Sequence, residues 1–193
     1  EKALEYYNKS LAIQLNTLGA NNPDVAASYD NIGDVFWAKG DSEQALECFD
    51  KSLTIQLNSL GENHPDVATS YNNIGNVYKA KGDNEKALEY YNKSLAIQLN
   101  TLGENDPEVA QSYNYIGVVY QEKGDNEKAL EYYNKSLAIQ LNTLGANNPD
   151  VAASYDNIGD VFWAKGDSEQ ALECFDKSLT IQLNSLGENH PDV

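Results

Sequence analysis

Residues 23–64 read PDVAASYDNIGDVFWAKGDSEQALECFDKSLTIQLNSLGENH, and the order of their signals specifies two helices. Asn22 stands before Pro23, and a proline at the first helical position loses only an N–H that the helix leaves unpaired anyway. Val25, Tyr29, Ile32, Gly33 and Phe36 then recur three or four apart and form one apolar stripe. Gly40 ends that helix and Asp41 caps the next. In the second helix Ala45, Leu46, Phe49, Leu53, Leu57 and Leu60 are expected to face inward. Gly61 stops it, and Glu62-Asn63-His64 leads into the next proline, Pro65.

The same reading applies along the whole chain. A Leu-Gly pair recurs at Gly19, Gly61, Gly103, Gly145 and Gly187, always 42 residues apart. Residues 23–64 and 65–106 share 29 of 42 positions, and residues 1–67 are identical to 127–193. The spacing predicts helix pairs at 23–39 with 42–60, 65–81 with 84–102, 107–123 with 126–144, and 149–165 with 168–186. The expected organisation is one array over residues 1–193. Residues 1–22 carry an orphan second helix, 23–64, 65–106, 107–148 and 149–190 are full repeats, and 191–193 open another. One pair cannot bury the stripes of both its helices, whereas stacked neighbours can. With no Met in the chain, residue 1 reads as an interior position of something longer.

The motif Tyr29, Ile32-Gly33, Phe36, Ala45, Phe49, with its counterpart Tyr71, Ile74-Gly75, Tyr78, Ala87, Tyr91, resembles the tetratricopeptide repeat. The period of 42 rather than 34, and Leu57 where a closing proline usually stands, make it similar to the kinesin light chain subtype. The resemblance implies an all-α, right-handed superhelical solenoid of antiparallel helix pairs. It also implies a protein–protein interaction module whose first helices line a concave groove.

Composition narrows the function. Thirteen Lys and no Arg stand against 30 Asp plus Glu, a formal net charge of -17. Such a chain is repelled by phosphate backbones and anionic lipid, and it lacks the arginines that read nucleic acid. No apolar run approaches the ~18 residues of a membrane helix. Cys48 and Cys174 stand at equivalent positions three repeats apart, too far for a disulfide, which fits a reducing, cytoplasmic compartment. His64 and His190 stand where other repeats have Asn22, Asp106 and Asn148, all good helix caps. No catalytic constellation, cofactor loop or metal-ligand set is apparent, so neither an enzyme nor a cofactor is expected.

The candidate site is a second stripe on each first helix, on the side away from the apolar one. It comprises Asp30, Asn31, Asp34 and Trp37 in the first repeat and Asn72, Asn73 and Asn76 in the second. Asn114 and Tyr115 follow in the third, and Asp156, Asn157, Asp160 and Trp163 in the fourth. This stripe varies between repeats while the apolar one hardly changes. Amides can donate to and accept from a peptide backbone, and an exposed Trp offers rigid contact area. Asp30 with Asp34, and Asp156 with Asp160, lie one turn apart. They read as a solvated acidic face, or as contacts favouring a basic ligand. The expected function is a scaffold that binds a peptide or partner helix. The alternative is a structural rod or spacer, or an array that self-associates end to end through the open face of residues 1–18 (Leu4, Tyr7, Leu11, Leu15).

Overall fold

The computed structural model describes residues 2–186, so His190 and the repeat start at 191–193 lie outside the described residues. Among the described residues there are nine α-helices and no strand: α1 (Lys2–Leu18), α2 (Pro23–Ala38), α3 (Ser42–Ser59), α4 (Pro65–Ala80), α5 (Asn84–Thr101), α6 (Pro107–Glu122), α7 (Asn126–Thr143), α8 (Pro149–Ala164) and α9 (Ser168–Leu186). Every helix expected from the sequence between residues 23 and 186 is present, with ends displaced by no more than two residues.

The helix ends form as the sequence dictates. Asn22 accepts a hydrogen bond from the Asp24 N–H at 2.8 Å, and His64 accepts one from the Asp66 N–H at 3.2 Å through ring Nδ1. Asp106 and Asn148 cap α6 and α8 in the same way. Asp41 accepts from the Gln44 N–H at the start of α3. At the end of α2, Gly40 takes φ of 77°, a conformation a side chain would resist. That turn lets the Asp41 N–H reach the Phe36 carbonyl at 3.0 Å and the Gly40 N–H reach the Trp37 carbonyl at 2.9 Å.

By internal packing the chain divides into two compact units, Glu1–Thr101 and Leu102–Val193. In the first unit α2 packs on α3 and α4 on α5, while α1 lies against α2 and α3 against α4. In the second unit α6 packs on α7 and α8 on α9, with α7 against α8. The pairs are antiparallel: Gly33 meets Phe49 while the earlier Asp30 meets the later Gln56.

The core repeats its chemistry. Val25, Ala26 and Ile32 from α2, and Val67, Ala68, Ile74 and Val77 from α4, are buried with Ala45, Phe49 and Leu53 of α3. Tyr29 and Phe36 are only half-buried, as are Leu46, Leu57 and Leu60. The buried row of α3 also includes Ser52 and Gln56, polar residues absent from the expected inward set. Leu11, expected on an open face of α1, is buried against α2 residues. On the other side of the repeat, Tyr90 stacks on Tyr78 at 5.5 Å, and Tyr132 stacks on Tyr120 at the same distance. Cys48 and Cys174 occupy that place in α3 and α9; both thiols are free and buried, and burial raises the pKa of each.

Candidate peptide-binding face

In the first unit the expected stripe runs along α2 and α4. Asn31 and Asp34 are exposed, while Asn72, Asn73 and Asn76 are half-buried. Two positions differ from expectation. Trp37 is half-buried, packed against the cluster formed by Phe49, Ala45 and α4 residues. Its exposure in the sequence reading ignored the following repeat, which covers it. Trp163, the same residue on α8, is 64% exposed, because no first helix follows α9 among the described residues. Asp30 is half-buried rather than solvated.

Asp30 belongs to a polar network that holds α2, α3 and α4 together. The Gln56 side chain is 4% exposed. Its Nε2 donates to Asp30 Oδ2 at 3.2 Å and to Ser52 Oγ at 3.1 Å. Its Oε1 accepts from the Ser70 hydroxyl of α4 at 2.9 Å. Both amide protons and the carbonyl are thus engaged, which fixes the orientation of the amide. Asp30 Oδ1, by contrast, is buried without a hydrogen-bond partner. Desolvation pushes the Asp30 carboxyl up to about 6; Asp34 and Asp66 add to the rise, and Ser52 and Gln56 oppose it. Burial raises Asp34 as well.

A cleft of about 290 Å³ lies over this network, lined by Pro23, Ala27, Asp30, Asn31, Gln56, Leu60, Asp66 and Thr69. In the second unit, α6, α7 and α8 build the equivalent cleft, of about 350 Å³, with Asn114, Gln140, Ser154 and Asn157 among its lining residues. There the Asn157 amide donates to Asn114 Oδ1 at 3.1 Å, and Ser154 donates to Gln140 at 2.6 Å. Tyr115 is half-buried with its hydroxyl accepting from Gln111 at 2.7 Å. Asp156 is half-buried, accepting from Gln182 at 3.4 Å, and Asp160 is exposed. Desolvation raises the Asp160 pKa, with Asp156 adding to it.

Of the candidate residues, Asp30 and Asn31 line the first cleft and Asn114 and Asn157 the second, the others lining neither, and the second-helix residues Gln56 and Gln140 were not among the candidates. One signal could have found them. A glutamine recurs at 14, 56, 98, 140 and 182, at the phase of the inward row and in every repeat.

The family model of the tetratricopeptide repeat matches residues 1–58, 37–100 and 108–184. The chain belongs to the tetratricopeptide repeat family. Its fold is an all-α helical repeat solenoid, and its repeats are of the kinesin light chain-like type. The array is similar to the crystal structure of BtubC (BKLC) from P. vanneervenii, at 28% identity and a TM-score of 0.87, over 98% of this chain and 75% of that one. It is also similar to a putative kinesin light chain of Podosopora anserina with nearly identical repeats, at 28% identity and a TM-score of 0.81, over 96% and 88% of the two chains. MamA shares the fold at 20% identity and a TM-score of 0.66, over 94% of this chain and 87% of that one. Comparison with curated proteins gives no match. Tetratricopeptide repeat proteins are in general non-enzymatic scaffolds that bind other proteins. Among the described residues, no helix is long and apolar enough to cross a membrane, and no group of three or more His, Cys, Asp or Glu is placed to hold a metal ion.

Proposed function

We propose that the first-helix face of this tetratricopeptide array binds an extended peptide or a partner helix, with Asn31, Asn73 and Asn157 addressing its backbone. The observation that carries this reading is the recurrence of one cleft in both units, each with a fixed polar floor and a variable rim. A pre-organised amide floor loses little freedom on binding, so its hydrogen bonds go into affinity. Asp30, Asp34, Asp156 and Asp160, in a chain of net charge -17, favour a basic ligand. Nucleic acid is disfavoured by the same charge. Cysteine usage supports a cytoplasmic setting. The test is selection of binders from a random peptide display library, followed by sequencing. Enrichment of Lys- and Arg-bearing peptides, competing with one another for the array, supports the reading; no enrichment, or equal recovery of acidic peptides, counts against it.

A second reading is end-to-end self-association. It is favoured by the exposed Tyr6, Ile13, Leu15 and Leu18 of α1 and Trp163, Leu172, Leu179 and Leu183 of α8 and α9. Analytical ultracentrifugation decides it: concentration-dependent growth supports association, and a single monomeric species at every concentration rules it out.

A further inference from the structure

Residues 149–190 repeat residues 23–64 without a change, so α8 and α9 carry the same side chains as α2 and α3. One of these two identical surfaces is covered and the other is open. Over α2 and α3, Trp37, Leu46, Leu53 and Leu57 pack in one cluster with Val67, Ala68, Ile74 and Val77 of α4. Leu53 is 9% exposed there, whereas its counterpart Leu179 on α9 is 42% exposed. Trp163 and Leu172, at the places of Trp37 and Leu46, are exposed as well. The polar part of the seat is already built. Gln182 donates to Asp156 and Ser178, as Gln56 does to Asp30 and Ser52. At α3 the neighbouring helix adds one bond, from the Ser70 hydroxyl of α4 to Gln56. Ser28 and Ser154 give the same bond to Gln14 and Gln140 of the second helix before them.

We propose that the open face of α8 and α9 is a docking surface for one amphipathic helix of a partner protein, with the chemistry of α4. The identity of the two surfaces specifies that helix. It carries small and branched apolar residues at the places of Val67, Ala68, Ile74 and Val77. It carries a serine at the place of Ser70, which donates to Gln182. Burial of the apolar residues, spaced as on one helix face, drives the docking, and the serine–glutamine bond sets its register along α9. A second copy of this chain does not supply such a helix at its open α1. Residues 1–17 repeat residues 85–101 of α5, and α5 packs on α4 in this chain. Thus α1 has the chemistry of a neighbour of α4, not of α4 itself. The inference does not rest on the groove reading, and it competes with direct self-association.

The probe is a synthetic peptide of residues 65–84, PDVATSYNNIGNVYKAKGDN, titrated into the full chain and followed by NMR and calorimetry. The Trp163 indole N–H signal, assigned with Trp163→Phe, is expected to shift while that of Trp37 stays. The peptide gains helix on binding, since a helix this short is marginal alone in water. Leu179→Asp changes an exposed position, circular dichroism confirms its fold, and it weakens binding at least about tenfold. Ser70→Ala in the peptide weakens binding about 3- to 10-fold. No shift at about 1 mM peptide, a shift of Trp37 in place of Trp163, or a Leu179→Asp chain that binds as the parent does would each overturn the docking surface. Sedimentation of the chain alone that grows with concentration, and stops growing in Leu179→Asp, would put a second copy on this face and overturn it as well. The groove reading is decided separately, by peptide selection. If selected basic peptides bind and the α4 peptide does not, the docking surface fails and the groove reading stands.

Discussion

A Cβ at Gly75 would sit 2.7 Å from Cε1 of Tyr91, closer than real side chains tolerate. The ring cannot easily yield, because the Tyr91 hydroxyl is tied to Asn76 Oδ1 at 2.7 Å and the side chain is among the largest fully buried ones. Gly75→Ala is expected to cost about 1–3 kcal/mol, the usual penalty of overpacking; urea denaturation measures it. Asp30 leads to the opposite expectation. Its folded pKa of about 6 exceeds the ordinary 3.8, so folding favours the protonated form. The stability this adds is complete below the ordinary value and is lost as pH rises through about 6. By linkage a shift of this size corresponds to at most about 3 kcal/mol. Asp30→Asn should therefore stabilise the chain at neutral pH, by about 1–3 kcal/mol, and flatten stability between pH 4 and 7. A variant no more stable than the parent at pH 7 would contradict the burial of this carboxylate. The sequence placed Gly75 in the repeat motif, at the position that Gly33 holds in the apolar stripe of the first repeat. It did not show the burial of Asp30, which meets Gln56 of its own repeat's second helix, or of Trp37, which packs with residues of the next repeat, because a single helix wheel includes neither neighbour.

At the scale of elements, helix ends were the most legible feature. Asn22, His64, Asp106 and Asn148 cap, and a glycine with positive φ follows each helix from α1 to α8, because both signals act within a few residues. The link between neighbouring repeats was not legible. Gln56 lies at an inward phase, which reads as a polar flaw in an apolar row, yet its amide joins α2, α3 and α4 through Asp30, Ser52 and Ser70. Gln56→Ala strands the Ser70 hydroxyl and removes the donor to Asp30. The expected cost is roughly 1–3 kcal/mol. A loss within the ~0.5 kcal/mol of ordinary surface changes, measured by thermal and urea unfolding, would show that the link carries no stability.

Across the molecule, the 42-residue period sets the architecture, since every repeat restates the same caps, glycines and apolar positions. The division into two compact units was not readable from the period, because the sequence signals of each repeat are the same throughout. What varies is the rim of the first-helix face, and there the function is proposed to lie. Its exposed ion pairs should contribute well under about 1 kcal/mol each and fade with salt. A selected basic peptide should therefore bind more weakly as ionic strength rises, a trend calorimetry reads directly. The amide contacts are less screened and separate the groove from general acidity. The deciding measurement is calorimetric titration of the tightest selected peptide into the parent chain, Asn31→Ala and Asn73→Ala at moderate salt. Loss of one backbone hydrogen bond predicts a weakening of roughly 3- to 10-fold in each variant, and unchanged affinity in both would contradict the proposal that this face binds peptide.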